Sequence, residues 1–369
     1  MKTKVCCIFN LAAHYREEIF TLMDRTLHCD FFLGDRLNTP IKTMEYNLLK
    51  GYKRKLSYVP LFGSFYWKRG EAILAFRNYK FYIVTGEPFC LSTWVLSVIV
   101  FFTNKKIIMW THGWYGREGF LKKQIKKTFY SLADTILLYG DYAKELMIEE
   151  GINRDKLYCI YNSLSYSHQL QIRKTLSISS IFKEHFGNDN PVLLYVGRIQ
   201  RVKRLDMLLA AVDVLKRKYD LSCNLVIVGK DVDGLYLENY IPTIIEKQVW
   251  FYGALYNESL LGELFYNSAL CISPGNVGLT AIHSLTYGCP VITHDDFTNQ
   301  MPEFESIVRG KTGDFFEEGD IEHLAFVIHR WIINNANCRE EIRNNCYSMI
   351  DQKYNPAYQI KLLTKILSL

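Results

Sequence analysis

The chain has no Cys-x-x-Cys pair, no low-complexity stretch, no short-period repeat and no apolar run long enough to span a bilayer, and each absence removes a class of protein. Its ten cysteines stand singly apart from Cys6-Cys7 and do not cluster with histidine. Neither a zinc site nor a disulfide framework is therefore expected, and a reducing cytoplasmic setting fits. The apolar segment FCLSTWVLSVIVFF (Phe89 to Phe102) falls short of the roughly 20 residues that cross a membrane. Lying between FYIVTG and KIIMWTHG, it reads as a buried crossover helix, with a membrane-dipping segment as the alternative. The opening MKTKVCCIFNLAAHYREE looks like a weak signal peptide, but its short apolar run leads into an amphipathic helical pattern and reads as a first β-strand. No Gly-x-Gly-x-x-Gly follows that strand, which argues against a dinucleotide oxidoreductase. No nucleic-acid-binding motif is present, so no nucleic-acid partner is expected.

The 369 residues suit two domains, and 49% hydrophobic with 22% charged residues describes a globular chain. The net charge of +6 is uneven: residues 1–185 carry +11 and the remainder −5. Short β-branched runs alternate with helical patterns in both halves, which predicts an α/β protein of two doubly wound, Rossmann-like domains with a cleft between them. The first domain is placed at 1–187 and the second at 188–350, with a C-terminal helix at 351–369 packing back toward the first. Residues 34–70 break the alternation and read as a helix-loop excursion. Basic residues gather in the first half, notably Lys122, Lys123, Lys126 and Lys127 beside Phe120, Leu121, Ile125 and Phe129 at helical spacing. That patch suits either a solvated helix face or an anionic membrane surface.

Two glycine-containing turns in the second half carry the chemistry. In YVGRIQRVKRLDMLLAA a strand ends at Gly197 and a helix begins near Arg204, with Arg198 and Lys203 between. A helix start beside two cations is a site for a diphosphate, which Arg can grip at two points and Lys as a point charge. In CISPGNVGLTAIHSLTYGCPVI a second strand, loop and helix place Asn276, Val277, Gly278, Leu279 and His283. Two such turns on one sheet point to a nucleotide-sugar pocket.

These residues resemble the retaining glycosyltransferases of the GT-B fold, family 4, also called glycosyl transferases group 1. VGRIQRVKRLDMLLAA resembles that family's glycine-arginine-x4-lysine turn, SPGNVGL and YGCPVI its donor loop and following strand, and KTGDFFEEGD its closing glycine turn. The resemblance implies that Arg198 and Lys203 hold the donor diphosphate, helped by Gly197 and by the backbone N–H groups of Val277, Gly278 and Leu279. It also implies that His112, in WTHGWYG, lines the sugar pocket. One departure stands out, because the family's two donor-loop glutamates fall on Gly275 and His283 here. Asn276 is then expected to meet sugar hydroxyls and His283 a ribose hydroxyl, with Asn299, Gln300 or Glu303 standing in for the missing carboxylate. His14, Tyr15 and Arg16, after the first strand, are expected at the acceptor or sugar pocket.

The implied reaction moves a hexosyl unit from a nucleotide diphosphate sugar to a hydroxyl of a glycan or lipid-linked acceptor, in cell-surface polysaccharide assembly. No cofactor or metal is expected, the two cations taking the place of a divalent ion. The setting implied is cytoplasmic, peripheral at the inner membrane face. The alternatives are a nucleotide-sugar epimerase of the same fold and a non-catalytic nucleotide-sugar-binding scaffold.

Overall fold

The computed structural model describes residues 5–35 and 42–368, which group into two units: Met1–Ser165 with Asn355–Leu369, and Tyr166–Tyr354. In the first unit β1 (Val5–Phe9), α1 (Glu17–Leu27), β2 (Cys29–Gly34) and β3 (Tyr52–Leu56) are followed by a short antiparallel pair, β4 (Tyr58–Pro60) and β5 (Tyr66–Lys68). The chain continues through β6 (Phe81–Thr85), α2 (Leu91–Phe101), β7 (Lys106–Thr111), α3 (Phe120–Ser131), β8 (Thr135–Leu138), α4 (Asp141–Glu149) and β9 (Leu157–Cys159). Seven strands form a parallel sheet in the order β3-β2-β1-β6-β7-β8-β9.

The second unit runs through α5 (Tyr166–Arg173), α6 (Ile181–Phe186), β10 (Val192–Val196), α7 (Leu205–Tyr219), β11 (Asn224–Val228), β12 (Val249–Gly253), α8 (Glu258–Asn267) and β13 (Leu270–Ser273). It closes with α9 (Thr280–Thr286), β14 (Val291–His294), β15 (Gly313–Phe316), α10 (Ile321–Asn334) and α11 (Arg339–Gln352). Its six-stranded parallel sheet has the order β12-β11-β10-β13-β14-β15. The last helix, α12 (Pro356–Leu367), returns to the first unit and packs on α1.

Both central strands are apolar throughout because both faces are covered. In β1, Cys7 and Phe9 enter one core with Phe20, Phe31 and Leu363, while Cys6 and Ile8 enter a second core with Leu96, Val100 and Phe129. A strand buried on two sides needs no polar alternation, which is why it reads as a continuous run. Helix α12 starts at Asn355, whose side chain accepts from Tyr358 N–H, with Pro356 in the first turn. It is fixed by Gln359, which accepts from Ser163 Oγ at 2.8 Å and donates to Tyr161 O at 2.9 Å.

Three expectations are corrected. Residues 42–68 are largely extended: YKRKL forms the edge strand β3, whose exposed Lys53, Arg54 and Lys55 suit an edge, and β4 and β5 form a hairpin. Residues 166–187 group with the second unit, because α5 packs on α8 and α9. Helix α2 is buried along one face only; Val95, Val98 and Phe101 on the other are exposed, as is Phe102 just beyond. No helix among the described residues is long and apolar enough to cross a membrane.

Candidate active site

Strand order reverses between β10 and β13, so the loops after these two strands sit together at the switch point where parallel sheets of this kind bind ligands. Arg198 and Lys203 follow β10, and residues 274–279 follow β13. The loops are joined directly, because Gly275 N–H donates to Lys203 O at 3.1 Å. A Cβ at position 275 would lie 2.0 Å from Val202 O and 2.8 Å from Lys203 Cα, so only glycine fits there. Gly278 has φ +56°, also a glycine conformation.

Lys203 donates to Asn276 O and to Asn276 Oδ1, at 2.5 and 2.6 Å. Both acceptors are neutral. Burial, followed by the nearby Arg198 charge, pushes the Lys203 ammonium down to about 8, with Glu303 acting weakly in the opposite sense. Arg198 is exposed, and among the described residues neither cation has an ion-pair partner. Two close cations without an ion-pair partner at a switch point form a site that suits an anion. Among the described residues the amides of Gly278 and Leu279 meet no protein acceptor, whereas Val277 N–H already donates to Gln300 Oε1 at 2.9 Å. Gly197 closes β10, and its N–H bonds to Val228 O at 2.9 Å. The expected amide contribution therefore narrows to Gly278 and Leu279.

Several expected contacts are redirected. Asn276 is bound through both oxygens to Lys203, so its two carbonyl oxygens orient the ammonium. Gln300 is 3% exposed and fully bonded, donating to Thr293 Oγ1 and His294 O while accepting from Val277. It is a strut of the loop that carries Val277. Asn299 is exposed and donates to Asp296 Oδ2. Glu303 is buried and near enough to Lys203 to oppose its loss of charge. His283 turns to Glu258 at the start of α8, with Nε2 to Oε1 at 2.8 Å. Tyr287 Oη and Gln169 Nε2 donate to the same carboxylate oxygen at 2.7 and 2.8 Å. Burial raises the Glu258 carboxyl, but these bonds, His283 foremost, outweigh it and hold it down at about 2.

Two features were missed in the sequence. His294, at the end of β14, is 4% exposed with Nδ1 buried and unbonded, and burial lowers its pKa against the opposing charges of Glu318, Asp296 and Asp295. Its only sequence signal is its place at a strand end. The chain also carries one Asp-x-Asp spacing, Asp231-Val232-Asp233. Asp231 accepts from the N–H groups of Asp233, Gly234 and Tyr236, and Asp233 from Arg201 N–H, so these carboxylates cap a turn. Among the described residues no group of three His, Cys, Asp or Glu could hold a metal ion.

In the first unit, His112 follows β7 and lies against Tyr139, ring centroids 4.6 Å apart, with Nδ1 buried and unbonded. Burial, then the Arg16 and Lys126 charges, pushes it down to about 4, so it is neutral at pH 7. Arg16 is boxed by aromatic rings, its guanidinium carbon 4.3 Å from the Trp110 centroid, 4.7 Å from Phe20 and 5.5 Å from Phe9. Its Nη2 is buried without a partner. The structure brings Arg16 and His112 together. His14 is exposed and bonds to Lys42 O at 3.1 Å, with the Tyr15 ring edge-on to it.

The four-lysine patch is also corrected. Lys126 is buried, donating to Gly113 O and Glu118 Oε1 at 2.7 and 2.6 Å, where it supports the loop that carries His112. Lys123 pairs with Glu150, leaving Lys122 and Lys127 exposed.

The family described as "Glycosyl transferases group 1" matches residues 178–349. An uncharacterized 41.2 kDa protein in the cps region of Klebsiella pneumoniae is 26% identical over 336 residues, covering 88% of this chain and 82% of that protein. The capsular polysaccharide biosynthesis glycosyltransferase CapM of Staphylococcus aureus is 24% identical over 303 residues, covering 77% and 76%. The solved structure of Anabaena Alr3699/HepE in complex with UDP is similar over 100% of both chains, with a TM-score of 0.71 at 14% identity, a likeness that shows the GT-B fold. Residues 178–349 are thus a glycosyl transferases group 1 domain, and the chain that carries it is a transferase.

Proposed function

We propose that the protein transfers a hexosyl unit, with retention at the anomeric carbon, from a nucleotide diphosphate sugar to a hydroxyl of a glycan or lipid-linked acceptor in cell-surface polysaccharide assembly. The observation that carries this reading is Lys203, an ammonium withdrawn from solvent, bonded only to neutral oxygens and pushed down toward neutrality beside Arg198. A diphosphate supplies the missing negative charge. As the bond from the anomeric carbon to the phosphate oxygen breaks, charge grows on the leaving group, and cations fixed at that place stabilise the transition state more than the ground state. The capsule-region relatives and the UDP held by the Anabaena structure support the donor class and the biological setting. Lys203→Ala tests it: UDP should bind about tenfold or more weakly while uridine is little affected. Equal losses for both would refute the diphosphate role.

Metal independence belongs to the same proposal, because Arg198 and Lys203 supply the charge a divalent ion would otherwise bring. Transfer should be unchanged by EDTA.

The finer part of the reading is contact with an anionic bilayer. Its support is an apolar face on the first unit: Val98 and Phe101 of α2 with Phe102 just beyond it, beside Ile73 and Phe76 of the turn at Ala72–Phe76 that packs on α2. Phe101 and Phe102 are 60% and 80% exposed, Phe120 and Leu121 79% and 72%, and exposed Arg77 and Lys122 lie next to these residues. Exposed aromatics with flanking cations match a headgroup interface. Phe101→Glu with Phe102→Glu should abolish sedimentation with phosphatidylserine vesicles, and no vesicle binding by the parent would end this part of the proposal.

A further inference from the structure

Position 283, where the resembled family carries an acid, holds an imidazole ring, and a carboxylate reaches that ring from another helix. His283 lies one turn beyond Leu279, whose carbonyl accepts from its N–H at 3.0 Å. The ring is set among Phe265 and Tyr287, with centroids 5.1 and 5.7 Å away. Glu258 is the first residue of α8, which is capped by Asn257 accepting from Leu260 N–H at 3.1 Å. Both ends of the His283–Glu258 contact are thus held by their own helices.

That contact decides which ring nitrogen carries the proton. Glu258 Oε1 accepts from Tyr287 Oη and Gln169 Nε2 at 2.7 and 2.8 Å, and the carboxyl is held at about 2, so it is ionised at neutral pH and has only lone pairs to offer. His283 Nε2–H therefore donates to it across 2.8 Å. In the neutral ring the other nitrogen, Nδ1, is left as an acceptor. Nδ1 has no partner among the described residues, and the side chain is 17% exposed. Donation of Nε2–H to a full negative charge also polarises the ring and makes Nδ1 a stronger acceptor. A neutral acceptor one turn from the Gly278 and Leu279 amides suits a hydroxyl, and a nucleoside diphosphate carries two on its ribose.

We infer that Glu258 is a positioning residue for the donor: from α8 it fixes the His283 ring with Nδ1 as the acceptor for a ribose hydroxyl, so that a carboxylate acting through an imidazole stands in for one acting directly. This assignment rests on the transfer reading above. Gln169 and Tyr287 share the same carboxylate oxygen and hold Glu258 in place.

Calorimetric titration of the full chain with UDP and with 2′,3′-dideoxy-UDP tests the assignment at pH 8, above the ordinary histidine range. Wild type should bind the dideoxy nucleotide about tenfold more weakly, the loss of one good hydrogen bond. Glu258→Gln, whose amide accepts either tautomer, should shrink that ratio to about threefold, and His283→Phe should bring it to about one. Tyr287→Phe removes a different donor from the same oxygen and should keep the full ratio, which separates damage to the network from loss of the ring's orientation. Each ratio compares two ligands on one protein, so lowered stability of Glu258→Gln does not imitate the effect. Nitrogen-15 NMR of the histidine side chains, with His283→Phe to assign the signal, should show the wild-type ring protonated at Nε2 alone. A ratio near one in wild type, an unchanged ratio in Glu258→Gln, an equal fall in Tyr287→Phe, or a proton on Nδ1 at pH 8 overturns the assignment. Tight, equal binding of both nucleotides removes the Glu258 role and leaves the transfer reading standing; absence of UDP binding removes both.

Discussion

Binding of a nucleoside diphosphate should draw a proton from solution. The Lys203 ammonium of the empty site titrates at about 8, because burial and the Arg198 charge both disfavour it. A bound diphosphate reverses that balance and returns the group to the ordinary lysine range or above. Free protein is then about half protonated at this residue at pH 8 and about one-tenth at pH 9, while the complex is fully protonated at both, so uptake is about 0.5 and about 0.9 protons per UDP. The same linkage makes UDP affinity fall about fivefold from pH 8 to pH 9. The terminal phosphate titrates near 6 and adds little above pH 8. Calorimetric titration in two buffers of different ionisation enthalpy measures the uptake directly, and Lys203→Ala should remove it. Uptake near zero in wild type at pH 8 and 9, or equal uptake in wild type and Lys203→Ala, would refute the argument that this ammonium receives the phosphate.

Gly275→Glu, which restores an acid where the resembled family has one, should lower the melting temperature and weaken UDP binding, because its Cβ meets Val202 O at 2.0 Å; improved donor binding would contradict the loop contact. Glu258→Gln should cost up to about 3 kcal/mol at pH 7. That carboxyl is held at about 2 against its ordinary 4.5, so its stabilisation is fully present above pH 4.5 and lost as pH falls toward 2; thermal unfolding of the two proteins should converge across that window. His112 gives the same sign in a higher window, since its folded value of about 4 lies below 6.5 and the unfolded chain binds the extra proton between them. Stability should therefore rise from pH 4 to 6.5 with a slope that His112→Phe reduces, and an unchanged slope would place the histidine in water.

The legible parts of this molecule are those whose physics is local. Strands β1, β6, β10 and β11 announce themselves because burial on both faces leaves a nearly continuous apolar run in each, and the glycine turn with Arg198 and Lys203 is a short-range pattern. Strand β3 was hidden because an edge strand carries its cations outward and its alternation reads as a basic loop. The partners were hidden for a different reason. Glu258 lies 25 positions from His283, Glu71 stands between Lys68 and the α2 hydroxyls, and Gln300 reaches across 23 positions to Val277. No spacing rule links such residues; only the sheet does. The same contrast accounts for the missing donor-loop acid. With Gly275 pressed on the backbone of Val202 and Lys203, position 275 has no room for a carboxylate side chain, and Lys203 is bonded to the loop by the neutral oxygens of Asn276. A carboxylate in that place would neutralise the lysine and, on the proposed reading, compete with the phosphate, whereas a neutral tether leaves the ammonium uncancelled by the loop.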